Sequence, residues 1–217
     1  RSSDLEKLEG QHFHLVVMGQ FKRGKSTLIN ALLGAEILPT AIVPLTSIVT
    51  RIGYGETPAA AVHYLDGRRE EIRLEDIRRF VTERANPRNG LQVKEVEVSF
   101  PSPLLRDGVR IIDTPGVGSV FDHNTEVAYN YLPHVDAGIF VVTADPPFSA
   151  SEHRFLREVR GYVDQLFFVL NKADAVGERD LAEAISFTAS EIAIVRSARR
   201  QTRRNRGSAH RPDQCVA

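Results

Sequence analysis

The stretch Gly19-Gln20-Phe21-Lys22-Arg23-Gly24-Lys25-Ser26 fits the pattern Gly-x-x-x-x-Gly-Lys-Ser. It follows an apolar run, Phe13 to Met18, that reads as a buried strand. Ser26 to Leu33 follows it with helical character, and Gly34 is placed to end that helix. Gly19 and Gly24 let the backbone curl so that its N–H groups point inward, and the helix adds its N-terminal dipole. The chain must therefore build a strand–loop–helix unit suited to phosphate groups. Gly19, Gln20, Phe21, Lys22, Arg23, Gly24, Lys25, Ser26 and Thr27 are the candidate phosphate-binding residues. Lys25 is expected to reach the terminal phosphates, and the Ser26 hydroxyl to ligate magnesium.

The rest of the chain alternates in the same way. Ile48 to Tyr54, Val93 to Phe100, Val109 to Ile112, Ala137 to Thr143 and Leu166 to Leu170 read as strands. Glu75 to Arg84, Asn124 to Leu132, Ser151 to Tyr162 and Asp180 to about Ile194 read as helices. Asp66-Gly67 between two short β-like runs is a hairpin signal. Buried strands alternating with helices imply an α/β fold, with a mostly parallel sheet covered on both faces and an antiparallel edge hairpin. Ligands of such sheets sit at the carboxyl ends of the strands. The 217 residues suit one domain plus a tail, and 42% hydrophobic with 26% charged residues excludes a disordered or collagen-like chain. The single cysteine, Cys215, excludes an internal disulfide and fits a reducing compartment.

Two further motifs fall at strand ends. Asp113-Thr114-Pro115-Gly116 follows the run Val109 to Ile112. Asp113 is placed to hold magnesium, and the Gly116 N–H to bond a terminal phosphate and sense its loss. Asn171-Lys172-Ala173-Asp174 follows the run Leu166 to Leu170. The Asp174 carboxylate suits the two donors on the Watson–Crick edge of guanine, where adenine offers the wrong pattern. The Lys172 stem can cover the base, and Asn171 can tie this loop to the phosphate loop. Gly19 lies 94 residues before Asp113, and Asp113 lies 58 before Asn171. Three motifs in that order, each at a strand end, imply a GTPase that uses GTP, GDP and Mg²⁺. Between the first two motifs a threonine is expected to complete the magnesium shell. Thr46 is the choice, with Thr40 and Thr50 as competitors.

Gly19 through Gly34, Leu38-Pro39, Pro44-Leu45-Thr46, residues 101–105, Asp113 to Gly116 and Asn171 to Asp174 together resemble the GTPase domain of dynamin-like proteins, the bacterial type above all. The resemblance covers about residues 10–190. It implies a P-loop NTPase fold, a three-layer αβα sandwich. It implies Mg²⁺-dependent GTP hydrolysis, G domains that pair as homodimers across the nucleotide, and a parent protein whose stalk remodels membranes. The location implied is cytoplasmic, at the inner face of a membrane, and nucleic acid is not the expected partner. The carried-over roles are Lys25, Ser26, Thr46 and Gly116 in catalysis, and Ser26, Thr46 and Asp113 on the metal.

Two positions depart from the family pattern. Many relatives carry serine where this chain has Lys22, and that serine helps to hold a monovalent cation. Either the Lys22 ammonium supplies the charge itself or it is a solvated loop lysine. Small Ras-like GTPases carry a glutamine after the Asp-x-x-Gly glycine, whereas Val117 stands here and cannot polarise water. Slow intrinsic hydrolysis, accelerated by dimerisation, is the expectation. An alternative is a nucleotide-gated binding module with negligible turnover.

The net charge of zero conceals a split. Residues 196–217 carry seven Arg and one Asp, so the tail is basic and the body mildly acidic. The expected organisation is a polar helix remnant at 1–9, the GTPase domain at 10–195 and an Arg-rich tail at 196–217. Ile192 to Ala198 is a marginal candidate for a closing strand. The tail reads as disordered, as an arm for RNA or acidic lipid, or as frame-shifted sequence; the arm makes an RNA- or ribosome-associated GTPase a further alternative. His12 and His14 read as strand residues rather than a metal pair, and Glu152 has no evident chemical partner.

Overall fold

The computed structural model describes residues 12–40, 46–116 and 131–208, the side chains of residues 134 and 196–208 excepted. Eight strands form one sheet: β1 (Phe13–Met18), β2 (Thr50–Tyr54), β3 (Ala59–Tyr64), β4 (Arg69–Ile72), β5 (Val93–Phe100), β6 (Val109–Asp113), β7 (Ala137–Thr143) and β8 (Gln165–Asn171). The helices are α1 (Lys25–Leu33), α2 (Ile77–Val81), α3 (Ala150–Val159) and α4 (Glu178–Ser208). The sheet order is β4-β3-β5-β2-β6-β1-β7-β8.

β1 lies between β6 and β7, parallel to both, and β8 is parallel to β7. The carboxyl ends of β1, β6, β7 and β8 therefore share one edge of the sheet, where the sequence motifs begin. The β3–β4 hairpin lies at the far edge, as its Asp66-Gly67 turn implies. Antiparallel pairing reaches further inward than expected, because β2 runs antiparallel to β6. β2 therefore returns toward the interior directly from the segment that carries Thr46, and Thr50 pairs with Asp113.

The two faces of the sheet explain the unbroken apolar runs. Val17, Ile111 and Val141 pack on one face with Ile29 and Leu33 of α1 and Ile77, Phe80 and Val81 of α2. Their neighbours Val16, Met18, Ile112, Phe140 and Val142 pack on the other, with Phe155, Leu156 and Val159 of α3 and Val195 of α4. Successive strand residues point to opposite faces, so a strand covered on both sides is apolar at every position. The result is a three-layer αβα sandwich.

One polar residue organises the chain after α1. The Asn30 amide donates to the Leu38 carbonyl at 2.9 Å and accepts from the Ile37 and Leu38 N–H groups at 3.2 and 2.9 Å. It fixes the entry to the segment that leads to Thr46. Asn30→Ala leaves buried backbone groups without partners, so stability should fall by roughly 2–4 kcal/mol. A denaturant midpoint lowered without a change in slope checks this.

Two expected elements differ in the structure. The helix expected over Glu75 to Arg84 is only α2, preceded by a 3₁₀ turn at Leu74–Asp76, because Thr82 turns extended and bridges Thr46. Ile192 to Ala198 is not a strand but continues α4. No turn residue separates it from the helix before it, and Ala and Arg favour helix. The backbone of residues 196–208 belongs to the same helix. The proposed helix remnant at 1–9 and most of the Asn124 to Leu132 helix lie outside the described residues, as does Val117.

Candidate nucleotide site

The phosphate loop joins β1 to α1 and has positive φ at Gly19, Lys22 and Gly24. A side chain at Gly19 would collide with the Val141 carbonyl, and one at Gly24 with the Asn171 amide. Both glycines are thus required by close approach as well as by backbone conformation. Lys22 is exposed, with its ammonium 5.3 Å from the centre of the Phe21 ring.

Lys25 opens α1, yet its side chain turns back under the loop. Its ammonium donates to the Gly19 and Gln20 carbonyls at 3.2 and 3.3 Å, and the residue is 7% exposed. Burial lowers its pKa to about 8, opposed by the carboxylates of Asp113 and Glu152. A buried cation held by two neutral carbonyls suits an anion as partner.

Asp113 ends β6 and is buried. Its Oδ2 accepts from the Ser26 hydroxyl at 2.8 Å. The Thr46 hydroxyl also bonds this carboxylate, and burial nevertheless pushes its pKa up to about 6. Its Oδ1 is buried and makes no hydrogen bond among the described residues. Two hydroxyls around a carboxylate with an orphaned oxygen form an all-oxygen donor set, which fits a hard divalent cation such as Mg²⁺. Of the threonine candidates, Thr46 lies against Asp113. Thr50 sits beside Asp113 in the sheet, and its buried hydroxyl has no partner among the described residues. Thr40 lines a separate surface groove with Ile37, Leu74 and Arg78.

Thr46 is held from behind. It bridges Thr82, and the Ser47 N–H donates to the Val81 carbonyl at 2.8 Å. The insertion between β4 and β5 thus supports Thr46 beside Asp113. On the other flank, the Thr114 hydroxyl donates to the Val17 carbonyl at 3.0 Å, seating the Asp113-Thr114-Pro115-Gly116 turn on β1. A Cβ at Gly116 would stand 2.8 Å from the Phe21 Cα and 3.0 Å from the Lys25 ammonium. Only glycine brings this turn so close to the phosphate loop.

β8 delivers the third motif. The Asn171 amide donates to the Arg23 carbonyl at 2.9 Å and so ties this loop to the phosphate loop. Lys172 adopts a left-handed conformation, and the 3₁₀ turn Ala173–Ala175 presents Asp174 at the surface. β1, β6 and β8 therefore bring their motifs to one edge of the sheet.

One participant escaped the sequence reading. Glu152, at 0% exposure, bonds the Arg23 guanidinium through both carboxylate oxygens, each at 2.7 Å. It also completes a capping box with Ser149 at the start of α3. The Ser149-x-x-Glu152 spacing signals the cap but not the distant arginine. His14 and His12 behave as strand-end residues: the His14 N–H bonds Asp136 at 2.8 Å, and the His12 ring lies 3.3 Å from Arg110.

This arrangement can be compared with known proteins. The sequence profile of the Dynamin family matches residues 15–173. This chain belongs to the dynamin family. Its dynamin-like G domain is 30% identical over 177 residues to the bacterial dynamin-like protein of Nostoc punctiforme, covering 76% of this chain and 25% of that protein. It is 44% identical over 187 residues to the "uncharacterized protein in xynA 3'region" of Caldicellulosiruptor, covering 86% of this chain and 46% of that one. The fold matches a solved structure of an oligomerised bacterial dynamin pair with a TM-score of 0.64 at 23% identity, covering 86% of this chain and 31% of that one. The chain thus spans less than half the length of each of these relatives.

Proposed function

We propose that this chain binds GTP and, with Mg²⁺, hydrolyses its γ-phosphate. The observation that carries the reading is the convergence on one loop. Ser26 meets Asp113, which Thr46 also contacts, Gly116 abuts Phe21 and Lys25, and Asn171 holds Arg23. Together these contacts join the phosphate loop to both of the other motifs.

In this reading Lys25 and the backbone N–H groups of residues 19–26 hold the phosphates. Ser26, Thr46 and Asp113 hold Mg²⁺, which neutralises phosphate charge when bound. The Gly116 N–H reports the γ-phosphate, and Asn171, Lys172 and Asp174 select guanine. The reaction is attack of water on the γ-phosphate, driven by positioning and electrostatic stabilisation. Lys22, exposed on the loop, supplies positive charge to the phosphates in place of a monovalent cation. Hydrolysis that depends strongly on potassium would contradict that role.

Valine at position 117 cannot orient water, so a second G domain completes the site. The relative solved as an oligomerised bacterial dynamin pair supports pairing, and its title concerns sensing and tethering of membranes. We therefore place the parent protein in the cytoplasm, acting on the inner face of a membrane. Among the described residues no helix is long and apolar enough to cross a membrane. Turnover per molecule should rise with protein concentration. A turnover number that is already high in dilute solution and flat with concentration contradicts the dimer. Absence of single-turnover hydrolysis, even at high concentration and with anionic vesicles, would leave a nucleotide-gated binding module instead.

A further inference from the structure

Arg23 stands inside the phosphate loop, yet its side chain is turned away from the cradle. It is 5% exposed. Its Nε and one Nη donate to the two oxygens of Glu152, each at 2.7 Å. The other Nη donates to the Thr143 hydroxyl and, at 2.8 Å, to the Pro146 carbonyl. The remaining N–H donates to the Gln20 side chain at 3.2 Å. All five N–H groups of the guanidinium have acceptors, so none is left for a phosphate. The backbone of Arg23 is held too, through the Asn171 amide on its carbonyl.

These bonds flank a strained point. Lys22 has φ of 65°, in the left-handed region that a residue with a Cβ adopts at a cost. Such a conformation persists when its surroundings over-determine it. The neighbouring Arg23 provides that constraint, with its side chain fixed at the end of β7 and the start of α3, and its carbonyl fixed at the end of β8. The loop is thereby held in shape before any phosphate arrives.

We propose that Arg23, clamped by Glu152, is a positioning residue that preorganises the phosphate loop for the nucleotide. The proposal rests on the GTP-binding reading and deepens it. Preorganisation removes the ordering cost that a flexible loop would meet on binding. Because the loop cradles phosphates common to GDP and GTP, the clamp favours both ligands alike. Its loss should raise KM and leave kcat at saturating GTP nearly unchanged. Lysine cannot replace arginine here, since it lacks the planar fork that meets both Glu152 oxygens while reaching Thr143 and Pro146.

The test uses the full chain with Mg²⁺ and fluorescently labelled GDP, together with GTP turnover and a nucleotide-free thermal melt. Arg23→Lys keeps a charge opposite Glu152. The double variant Arg23→Met with Glu152→Gln removes both charges and keeps an N3 residue able to complete the capping box. The account expects Arg23→Lys to melt cooperatively and bind GDP at least about tenfold more weakly, with kcat within about twofold. It expects the double variant to recover the melting midpoint but not the GDP affinity. A merely structural pair would recover both, which overturns the proposal. Arg23→Lys binding GDP as tightly as the unmodified chain overturns it as well. If neither variant melts cooperatively, Arg23 is a folding determinant and the positioning role is rejected. An unmodified chain that melts cooperatively but binds neither GDP nor GTP overturns the nucleotide reading, and the proposal with it.

Discussion

Lys25→Ala should remove guanine-nucleotide binding while leaving the nucleotide-free fold at least as stable. The ammonium of Lys25 is buried against two backbone carbonyls, and burial already lowers its pKa to about 8. A cation in that position is strained without an anion, so its removal relieves the nucleotide-free protein. In the proposed reading the same cation would meet the terminal phosphates of a bound nucleotide. Charge-assisted hydrogen bonds are worth about 1.5–3 kcal/mol each, so losing two weakens binding by a hundredfold or more. Titration with labelled GDP and a melt without nucleotide give the two readings separately. A variant that binds GDP normally would mean that Lys25 is a buried structural lysine. A variant that no longer folds would mean that its bonds to Gly19 and Gln20 outweigh its desolvation.

Asp174→Asn should change which base is bound. Asp174 sits in the turn just past β8, at the surface, where a bound base would meet it. Guanine offers two adjacent donors, and a carboxylate accepts both. Asparagine accepts one and turns its own donor against the other. GTP affinity should therefore fall by about a hundredfold or more. Xanthine carries a carbonyl where guanine has its amino group, so xanthosine triphosphate should become the better ligand. Competition of GTP, ATP and xanthosine triphosphate against labelled nucleotide measures this directly. Unchanged GTP preference would remove Asp174 from the base site.

The phosphate loop, the Asp113 turn and the Asn171 turn were legible because each is a short local motif at the end of an apolar run. A strand buried on both faces, such as β7, leaves few polar positions to confuse its reading. Pairs distant in the chain were not legible. Arg23 and Glu152 lie 129 residues apart, and nothing local to either names the other. Asn30 looks like an ordinary helix residue until the chain turns back and places Leu38 over it. Thr82 reads as helix because the segment around it has helical spacing, and its pairing with Thr46 overrides that preference. Ile192 to Ala198 shows the opposite failure. Its β-branched residues suggest a strand, but continuity with α4 and the packing of Val195 against the α3 face of the sheet keep it helical.

The account stands on guanine-nucleotide binding at this loop. Its most direct test is a thermal melt of the chain with Mg²⁺ and saturating GDP, a non-hydrolysable GTP analogue or ADP. A ligand at ~100 times its dissociation constant adds ~2.7 kcal/mol to the folded state. The expected result is a raised midpoint with both guanine nucleotides and none with ADP. An equal rise with ADP, or no rise with any of the three, would contradict it.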